Sequence, residues 1–322
     1  FIERIFGGDR EMAAYVQRAL GYALLGSNPE HALFVLHGDG ANGKSVLLQA
    51  VRAAIGLDYA TQGNAATLIA GGRSTTIRDD LANLRGYRFV AMSETDDAGR
   101  LDEALVKWIT GGEPIRCRKL YQNEIEYLPQ FTIYLATNHR PAIRNTDRGI
   151  WRRIHLIPFC VSIPEEEQDT ALQDKLAEER EGILVWLLDG LKDYLDAGLR
   201  PPAQVADALR LYREDSDLLG HFLAADCVAG AQEKAGAREL YEAYQRCALE
   251  SADTPLNLRE FKRQMQRRGF SQIREGKGIF WKGIGVRPAV GSRSAAQSKP
   301  AQAPSSQLPQ AQPGLEEASA AA

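Results

Sequence analysis

Short apolar runs alternate with helical stretches over the first half of the chain. The runs, each long enough for one buried strand, lie at residues 32–36, 87–92, 131–136 and 154–158. Helical periodicity predicts one helix over residues 11–25 and another from Lys44 to about Ile55. Strands that alternate with helices are typical of a parallel sheet with helices on its faces. The pattern therefore predicts an α/β fold with a central parallel sheet.

Beyond residue 160 the pattern becomes acidic and helical, and it changes again near the C terminus. Proline residues at 201–202 interrupt the helical periodicity of residues 165–220. Two helices are predicted over residues 238–251 and 257–268, and the segment GKGIFWKGI after them indicates a short β-ribbon. We divide the chain into a helical lead-in (1–30), a core (31–160), a helical lid or collar (161–220), a C-terminal domain (221–286) and a disordered tail (287–322).

The overall composition excludes several classes of protein. The 322 residues carry 39 basic and 42 acidic side chains, a formal net charge of −3, so an anionic partner must be recognised by a local patch. The four cysteines show no spacing typical of a metal site, which argues against zinc or a disulfide framework and fits a reducing cytosol. No apolar run approaches the ~18 residues of a membrane span, and we expect no membrane partner. The chain begins with Phe1, which we interpret as part of a longer protein.

The segment GDGANGKS at residues 38–45 matches the phosphate-binding pattern GxxxxGK[ST]. Glycines let backbone N–H groups surround phosphate oxygens, and the following helix adds its positive N-terminal dipole. Lys44 is expected to reach the β- and γ-phosphates of ATP, and the Ser45 hydroxyl to hold Mg²⁺. The predicted ATP-binding residues are Gly38, Asp39, Gly40, Ala41, Asn42, Gly43, Lys44, Ser45 and Val46.

Polar residues follow the next two core strands, where a nucleotide site needs them. Glu94 ends the run YRFVAMS and is our first choice for the acid that positions metal and water, with Asp96 as the alternative. Asn138 follows FTIYLAT and can orient the attacking water or sense the γ-phosphate, although for an isolated Asn a turn residue that caps the strand is the favoured interpretation. Arg152 and Arg153 precede the fourth strand, and either could act as an arginine finger in a neighbouring subunit.

The ordered motifs GDGANGKS, SETDD, GGEPIRCRKLY, LATNHRP and DRGIWRRI resemble those of the superfamily 3 helicases. Within that superfamily the chain is most similar to the phage and plasmid primase-helicases, over roughly residues 1–285. The resemblance implies an AAA+-type ATPase core that uses ATP and Mg²⁺, assembles as a ring, usually a hexamer, and translocates on single-stranded DNA. It implies catalytic roles for Lys44, Glu94, Asn138 and Arg153, and metal ligation by Ser45 and Glu94, with Asp96 open as a further ligand. It also implies a cytoplasmic location in a bacterium or phage-infected host, with an upstream primase domain or another replication protein as a further partner.

Two basic segments are candidates for contact with single-stranded or duplex DNA. Residues 114–131 alternate polar and apolar positions around a turn predicted at 122–123, which indicates a β-hairpin. Its candidate DNA contacts are Arg116, Arg118, Lys119 and Tyr121, and the resemblance places this hairpin in the channel of the ring. The C-terminal domain is interpreted as a winged helix with a local charge of +6 over residues 259–282. Its candidate DNA contacts are Lys262, Arg263, Arg267 and Lys277.

Three functions compete at this point. The first is a ring-forming helicase that couples ATP hydrolysis to unwinding. The second is a nucleotide-dependent assembly or loader ATPase that binds DNA without unwinding it. The third is a P-loop kinase of a small molecule, for which the sequence offers no acceptor site. Solvated basic side chains paired with acids also explain the hairpin and the C-terminal patch without any DNA contact.

Overall fold

The computed structural model describes residues 1–71, 77–93, 99–144, 147–251, 254–276 and 278–287. The strands are β1 (Leu33–His37), β2 (Ala60–Asn64), β3 (Phe89–Ser93), β4 (Ile115–Arg118), β5 (Glu124–Tyr127), β6 (Thr132–Thr137), β7 (Ile154–Pro158), β8 (Cys227–Gly236), β9 (Ser271–Glu275) and β10 (Gly278–Val286). The α-helices are α1 (Ile2–Ile5), α2 (Arg10–Gly21), α3 (Lys44–Ile55), α4 (Asp79–Ala82), α5 (Glu103–Ile109), α6 (Arg148–Trp151), α7 (Leu172–Glu178), α8 (Arg180–Ala197), α9 (Ala203–Asp215), α10 (Leu218–Asp226), α11 (Ala237–Glu250) and α12 (Leu258–Arg267). Across the described ranges, no helix is both long enough and apolar enough to cross a bilayer.

Five strands form a parallel central sheet in the order β2-β3-β6-β1-β7. The predicted α/β class is thereby confirmed, and the four apolar runs correspond to β1, β3, β6 and β7. Strand β2 was missed because its sequence, ATQGN, is polar and contains a glycine. It lies at the edge of the sheet, where several of its side chains stay partly or fully exposed. Strand β1 lies inside the sheet, between β6 and β7, so the loop that follows it emerges between two neighbouring strands.

Alternate residues of the buried strands face two different hydrophobic cores. On one face Phe34, Phe89 and Tyr134 pack with helices α2, α3 and α8, and Tyr134 stacks on Phe34 with ring centroids 5.1 Å apart. On the other face Val35 and Ile133 pack with helix α5 and the inner side of the β4–β5 hairpin. Burial on both faces explains why these strands read as continuous apolar runs instead of alternating ones.

The single helix predicted over residues 11–25 is α2 followed by a 3₁₀ turn at Tyr22–Leu25. Helix α2 crosses α8 at close range through two glycines. A Cβ atom at Gly21 would lie 2.3 Å from the Leu187 carbonyl oxygen, and one at Gly190 would lie 2.2 Å from the Gln17 carbonyl oxygen. The lead-in helices therefore share one core with the sheet, and Tyr15 and Met12 are fully buried in it.

The C-terminal domain consists of helices α10–α12 and the antiparallel sheet β8-β10-β9 around its own core. Phe261 and Trp281 are fully buried there. Strand β8 was missed because CVAGAQEKAG is mostly polar and largely exposed. The predicted boundary at residue 220 falls inside α10, and the buried side chains of Leu219 and Phe222 belong to this third core. The domain therefore begins at α10, earlier than predicted.

Candidate nucleotide and nucleic-acid sites

The glycine-rich loop connects the end of central strand β1 to the start of α3. Gly43 is the residue before the helix and has a left-handed backbone, with φ of 85°, which favours glycine. No side chain caps α3, so the N–H groups of its first turn remain available to an anion in line with the helix dipole. Ser45 is exposed in that first turn. This arrangement fits a triphosphate, with the Ser45 hydroxyl accessible as a ligand for Mg²⁺.

The first and last glycines of the motif are required by close packing. A Cβ atom on Gly38 would lie 2.3 Å from the Phe159 carbonyl oxygen and 2.8 Å from Asn42 Nδ2. A Cβ atom on Gly43 would lie 2.6 Å from Ile5 Cγ2. Gly40 is different, because it is exposed and a Cβ atom there would meet no atom within 4 Å. The loop is thus held against β7 at its start and against α1 at its end.

Lys44 is buried at the base of the loop, with its ammonium group held by three oxygen atoms. Lys44 Nζ donates to the Gly38 carbonyl at 2.5 Å, to Asn42 Oδ1 at 2.9 Å and to Asn138 Oδ1 at 3.1 Å. Only 5% of the lysine is exposed. Burial lowers the pKa of the Lys44 ammonium, and the Asp39 carboxylate acts in the opposite direction. All three acceptors are neutral, so an anionic group placed here would stabilise the ammonium further.

The contact with Asn138 joins two segments that lie 94 residues apart. Asn138 directly follows β6, which pairs with both β1 and β3, so the carboxyl ends of these three strands meet at one edge of the sheet. The structure therefore brings together two of the residues predicted for the nucleotide site, Lys44 and Asn138. The predicted acids Glu94 and Asp96 lie outside the described residues.

The predicted finger Arg153 is directed into its own chain. Arg153 Nε donates to Thr110 Oγ1 at 3.1 Å and Nη1 donates to the Gly149 carbonyl at 2.6 Å. Only 8% of this arginine is exposed. Its side chain therefore braces the start of β7 against α5, and its role as an arginine finger stays a prediction. Arg152, the residue that caps the C-terminal end of α6, is exposed.

The hairpin predicted over residues 114–131 is formed by β4 and β5 in antiparallel register. Its turn lies earlier than predicted: Gln122 N donates to the Lys119 carbonyl at 3.0 Å, which centres the turn on residues 120–121. Two of the basic candidates face acids across the strands. Arg116 forms an ion pair with Glu126, and Arg118 lies directly opposite Glu124. The outer face of the hairpin is therefore close to neutral.

The tip of the hairpin carries an exposed aromatic ring. Tyr121 is 97% exposed and has a left-handed backbone, with φ of 60°. The neighbouring Leu120 N–H donates to Asp79 Oδ1 at 2.7 Å, which fixes the tip to the start of α4. Lys119 lies beside them, half-buried. An exposed aromatic ring beside a lysine is suited to stacking on a base next to a phosphate.

The basic residues predicted on the C-terminal domain do not form one free face. Arg263 forms an ion pair with Glu260 on the same helix. Arg267 instead lines a cavity between α12 and the core, while Lys262 is partly exposed. Helix α12 is held to the core by Gln264, whose Nε2 donates to the Arg144 carbonyl at 3.2 Å. Lys277 lies outside the described residues.

Arg140 follows Asn138 by two positions, and the sequence alone predicts no role for it. Its Nη2 donates to Asp215 Oδ2 at 2.9 Å, and its guanidinium lies 5.2 Å from the centre of the Tyr212 ring. Arg140 therefore ties the segment after β6 to the end of α9. Arg140 belongs to the motif LATNHRP, but its partners Asp215 and Tyr212 are more than 70 residues away in the sequence, so the pattern around the motif does not predict the contacts.

Comparisons with known proteins fit this arrangement. A protein family described as "Family of unknown function (DUF5906)" matches residues 36–153. "Putative helicase L207/L206" of Acanthamoeba polyphaga mimivirus is 29% identical over 232 residues, which are 67% of this chain and 24% of the viral protein. "Putative helicase V13" of Sputnik virophage is 28% identical over 201 residues, which are 56% of this chain and 25% of that protein. "Putative primase C962R" of African swine fever virus is 27% identical over 147 residues, 44% of this chain and 15% of that protein.

The chain spans at most about a quarter of the length of these viral relatives. Among solved structures, the apo form of the NrS-1 C-terminal region is similar, with a TM-score of 0.50 and 14% identity. The match covers 88% of this chain and 74% of that one, and at this identity it shows a common fold. The chain is thus similar in sequence to viral proteins named as helicases and primases, and similar in fold to the NrS-1 C-terminal region.

Proposed function

We propose that this chain is an ATP-hydrolysing helicase module that acts on DNA in replication. The observation that carries the proposal is the hydrogen bond between Lys44 and Asn138. The side-chain nitrogen of the phosphate-loop lysine lies 3.1 Å from the amide oxygen of the residue that follows β6. In this proposal Lys44 binds the β- and γ-phosphates, and Asn138 orients the attacking water or reports the presence of the γ-phosphate.

Magnesium would be held by the exposed Ser45 hydroxyl, with Glu94 or Asp96 as the acidic ligand. Bound Mg²⁺ neutralises charge on the triphosphate during phosphoryl transfer. Two glycines shape the rest of the site. The left-handed backbone of Gly43 leaves the N-terminal end of α3 accessible to the phosphates, and the close packing of Gly38 against Phe159 keeps the loop in place. We expect ATP to displace Asn138 or Asn42 from Lys44, because a phosphate oxygen is the stronger acceptor for an ammonium group.

The helicase part of the proposal adds assembly into a ring and movement on single-stranded DNA. It is supported by the exposed hairpin tip with Lys119 and Tyr121, and by the similarity to viral proteins named as helicases. The C-terminal domain, with three helices and a three-stranded sheet, is proposed to be a winged helix that contacts duplex DNA. Exposed Arg152 is the candidate finger for the nucleotide of a neighbouring subunit.

The first experiment measures ATP hydrolysis with and without single-stranded DNA for the wild-type chain and Lys44→Ala. A matched control is Lys192→Ala, which removes an exposed lysine of α8 far along the chain from the loop. We expect DNA to stimulate hydrolysis several-fold, Lys44→Ala to be inactive and Lys192→Ala to behave as wild type. Hydrolysis that survives in Lys44→Ala would remove the phosphate loop from the proposal.

The second experiment separates the helicase from a loader ATPase that binds DNA without unwinding it. Reversal of charge in Lys119→Glu is expected to abolish unwinding of a forked duplex, because the hairpin tip would no longer hold the moving strand. A loader would keep both its DNA binding and its ATPase activity in this variant. Light scattering after size exclusion, with and without ATP, tests the ring, and a monomer under all conditions would refute it.

A further inference from the structure

Two adjoining cavities separate the core from the C-terminal domain, and we refer to them together as the interdomain cleft. Their volumes are about 440 and 480 Å³. They share one wall, to which Ile143, Ser216, Asp217 and Gln264 contribute. The cleft is lined by the segment after β6, by the end of α9 and the start of α10, and by α12. It therefore lies where three parts of the chain meet, and it is separate from the phosphate loop and from the hairpin.

The described lining of the cleft is strongly basic in a chain whose net charge is −3. It contains seven arginines and three aspartates. Each aspartate already has a cationic partner: Asp215 pairs with Arg140, Asp217 with Arg268, and Asp147 with Lys107. Lys107 is the main cause that lowers the pKa of Asp147 to about 2, and Arg267 contributes to it. The acids of the cleft are therefore satisfied without the remaining arginines.

Five arginines are left without a carboxylate partner among the described residues. They are Arg100, Arg144, Arg148, Arg213 and Arg267. Arg144 is partly exposed and the other four are exposed, so all five remain accessible from solvent. They come from different elements, and folding brings their like charges to one cleft, where Arg267 alone has a described acid, Asp147, near enough to interact with it. Like charges gathered in this way repel one another, which is unfavourable unless an anionic ligand is bound.

The backbone around the cleft is held in place, so the arginines are presented on fixed supports. The Arg144 N–H donates to Glu103 Oε1 at 3.1 Å, and its carbonyl accepts from Gln264 Nε2 at 3.2 Å. Asp217 Oδ1 accepts from the Gly220 N–H at 3.0 Å and thereby caps α10, while its pairing with Arg268 connects α10 to the end of α12. The cleft is therefore a formed feature of the fold and not a gap between loosely connected domains.

We propose that the interdomain cleft binds the phosphate backbone of a single nucleic-acid strand. Guanidinium groups are suited to phosphodiesters because they are always charged and donate in a planar fork. Arginines distributed along two adjoining cavities match a row of separate phosphates better than the compact cluster of a single triphosphate. The cleft is an additional strand contact beyond the hairpin tip, and it does not depend on nucleotide hydrolysis.

The proposal changes the role assigned to α12. Arg267 lines the second cavity of the cleft together with Arg213 of α9 and Arg148 of α6. A strand held there would contact the core and the C-terminal domain at once. Of the five arginines, the sequence pattern predicts a DNA contact only for Arg267.

The test measures the affinity for a fluorescent single-stranded oligonucleotide by anisotropy, without nucleotide, over a range of salt concentrations. The variant is the double substitution Arg213→Ala and Arg267→Ala. Each phosphate contact contributes about 0.7 to the slope of log affinity against log salt for a single strand. We expect the double variant to lower the magnitude of the slope by about 1.4. If the variant and the wild type bind equally at 1 M salt, the variant then binds roughly 25-fold more weakly than the wild type at 0.1 M salt.

The matched control is Arg85→Ala with Arg246→Ala, two exposed arginines of the core and of α11 that do not line the cleft. We expect this control to keep the wild-type slope, and thermal unfolding to be alike in all three proteins. Equal slopes for the two double variants would overturn the proposal. It would also be overturned if the cleft variant lost only the binding of inorganic tripolyphosphate and kept strand affinity, since the cleft would then hold a compact phosphate group. Failure of ATP hydrolysis would leave this measurement unaffected.

Discussion

The same substitution to alanine should be harmful at one glycine of the phosphate loop, Gly38, and harmless at another, Gly40. In Gly38→Ala the new methyl group would lie 2.3 Å from the Phe159 carbonyl oxygen, whereas ordinary van der Waals contact begins near 3.4 Å. That carbonyl belongs to the residue whose N–H donates to His37 at 2.7 Å, so β1 and the segment after β7 would have to separate. In Gly40→Ala the methyl group would meet no atom within 4 Å.

The size of the effect follows from this geometry. Relief of the overlap in Gly38→Ala requires a shift of about 1 Å in a packed region, and overpacking of this kind costs about 1–3 kcal/mol. The same methyl group would lie 2.8 Å from Asn42 Nδ2, and Asn42 accepts a hydrogen bond from Lys44, so the shift would pass directly to Lys44. A misplacement of about 1 Å can reduce a rate by about 100-fold. For Gly40→Ala we expect a change in stability within about 0.5 kcal/mol.

The assay compares both variants with wild type in urea unfolding, in binding of a fluorescent ATP analogue and in steady-state ATP hydrolysis. We expect Gly38→Ala to lose both stability and hydrolysis, and Gly40→Ala to retain both within about twofold of wild type. If Gly40→Ala lost as much activity as Gly38→Ala, backbone freedom in the loop, and not the close contact with Phe159, would be the reason for the glycines. That result would refute the packing argument.

Three further predictions follow from the placement of single side chains. Arg153→Ala should lower the free energy of unfolding by about 1.5–3 kcal/mol, because it removes charge-assisted hydrogen bonds in a buried position, whereas Arg152→Ala should leave stability unchanged in the same urea titration. Burial lowers the pKa of His155 to about 4, so the unfolded chain binds the proton at a higher pH than the folded chain does. The free energy of unfolding should therefore fall by about 3 kcal/mol as the pH drops from 6.5 to 4. This pH dependence should be missing in His155→Gln, and its persistence in that variant would contradict the assignment. Tyr121→Ala should leave stability unchanged, because the ring is 97% exposed, but weaken the binding of single-stranded DNA in an anisotropy titration by about 1–3 kcal/mol; equal affinity would remove the ring from the interface.

Features that depend on neighbours in sequence could be predicted from the sequence. The four apolar runs were located because buried parallel strands are continuously apolar, and the phosphate loop because its glycines, lysine and serine are consecutive. The β4–β5 hairpin followed from alternation alone, although the centre of its turn did not, because the backbone of Tyr121 adopts a left-handed conformation that an aromatic residue does not signal. Strands β2 and β8 were missed since exposed strands need no apolar pattern.

Only the tertiary structure decided which distant residues meet. The sequence placed Lys44 and Asn138 at the ends of two strands, but their contact depends on β1 and β6 being neighbours in the sheet. It could not separate Arg152 from Arg153, because adjacent residues at the end of a short helix point in different directions and burial depends on what packs there. The charge pattern of segment 259–282 predicts one basic face, yet Arg263 pairs with Glu260 while Arg267 lines the interdomain cleft. Local patterns determine the elements, whereas the direction and partner of each charged side chain are determined by long-range packing.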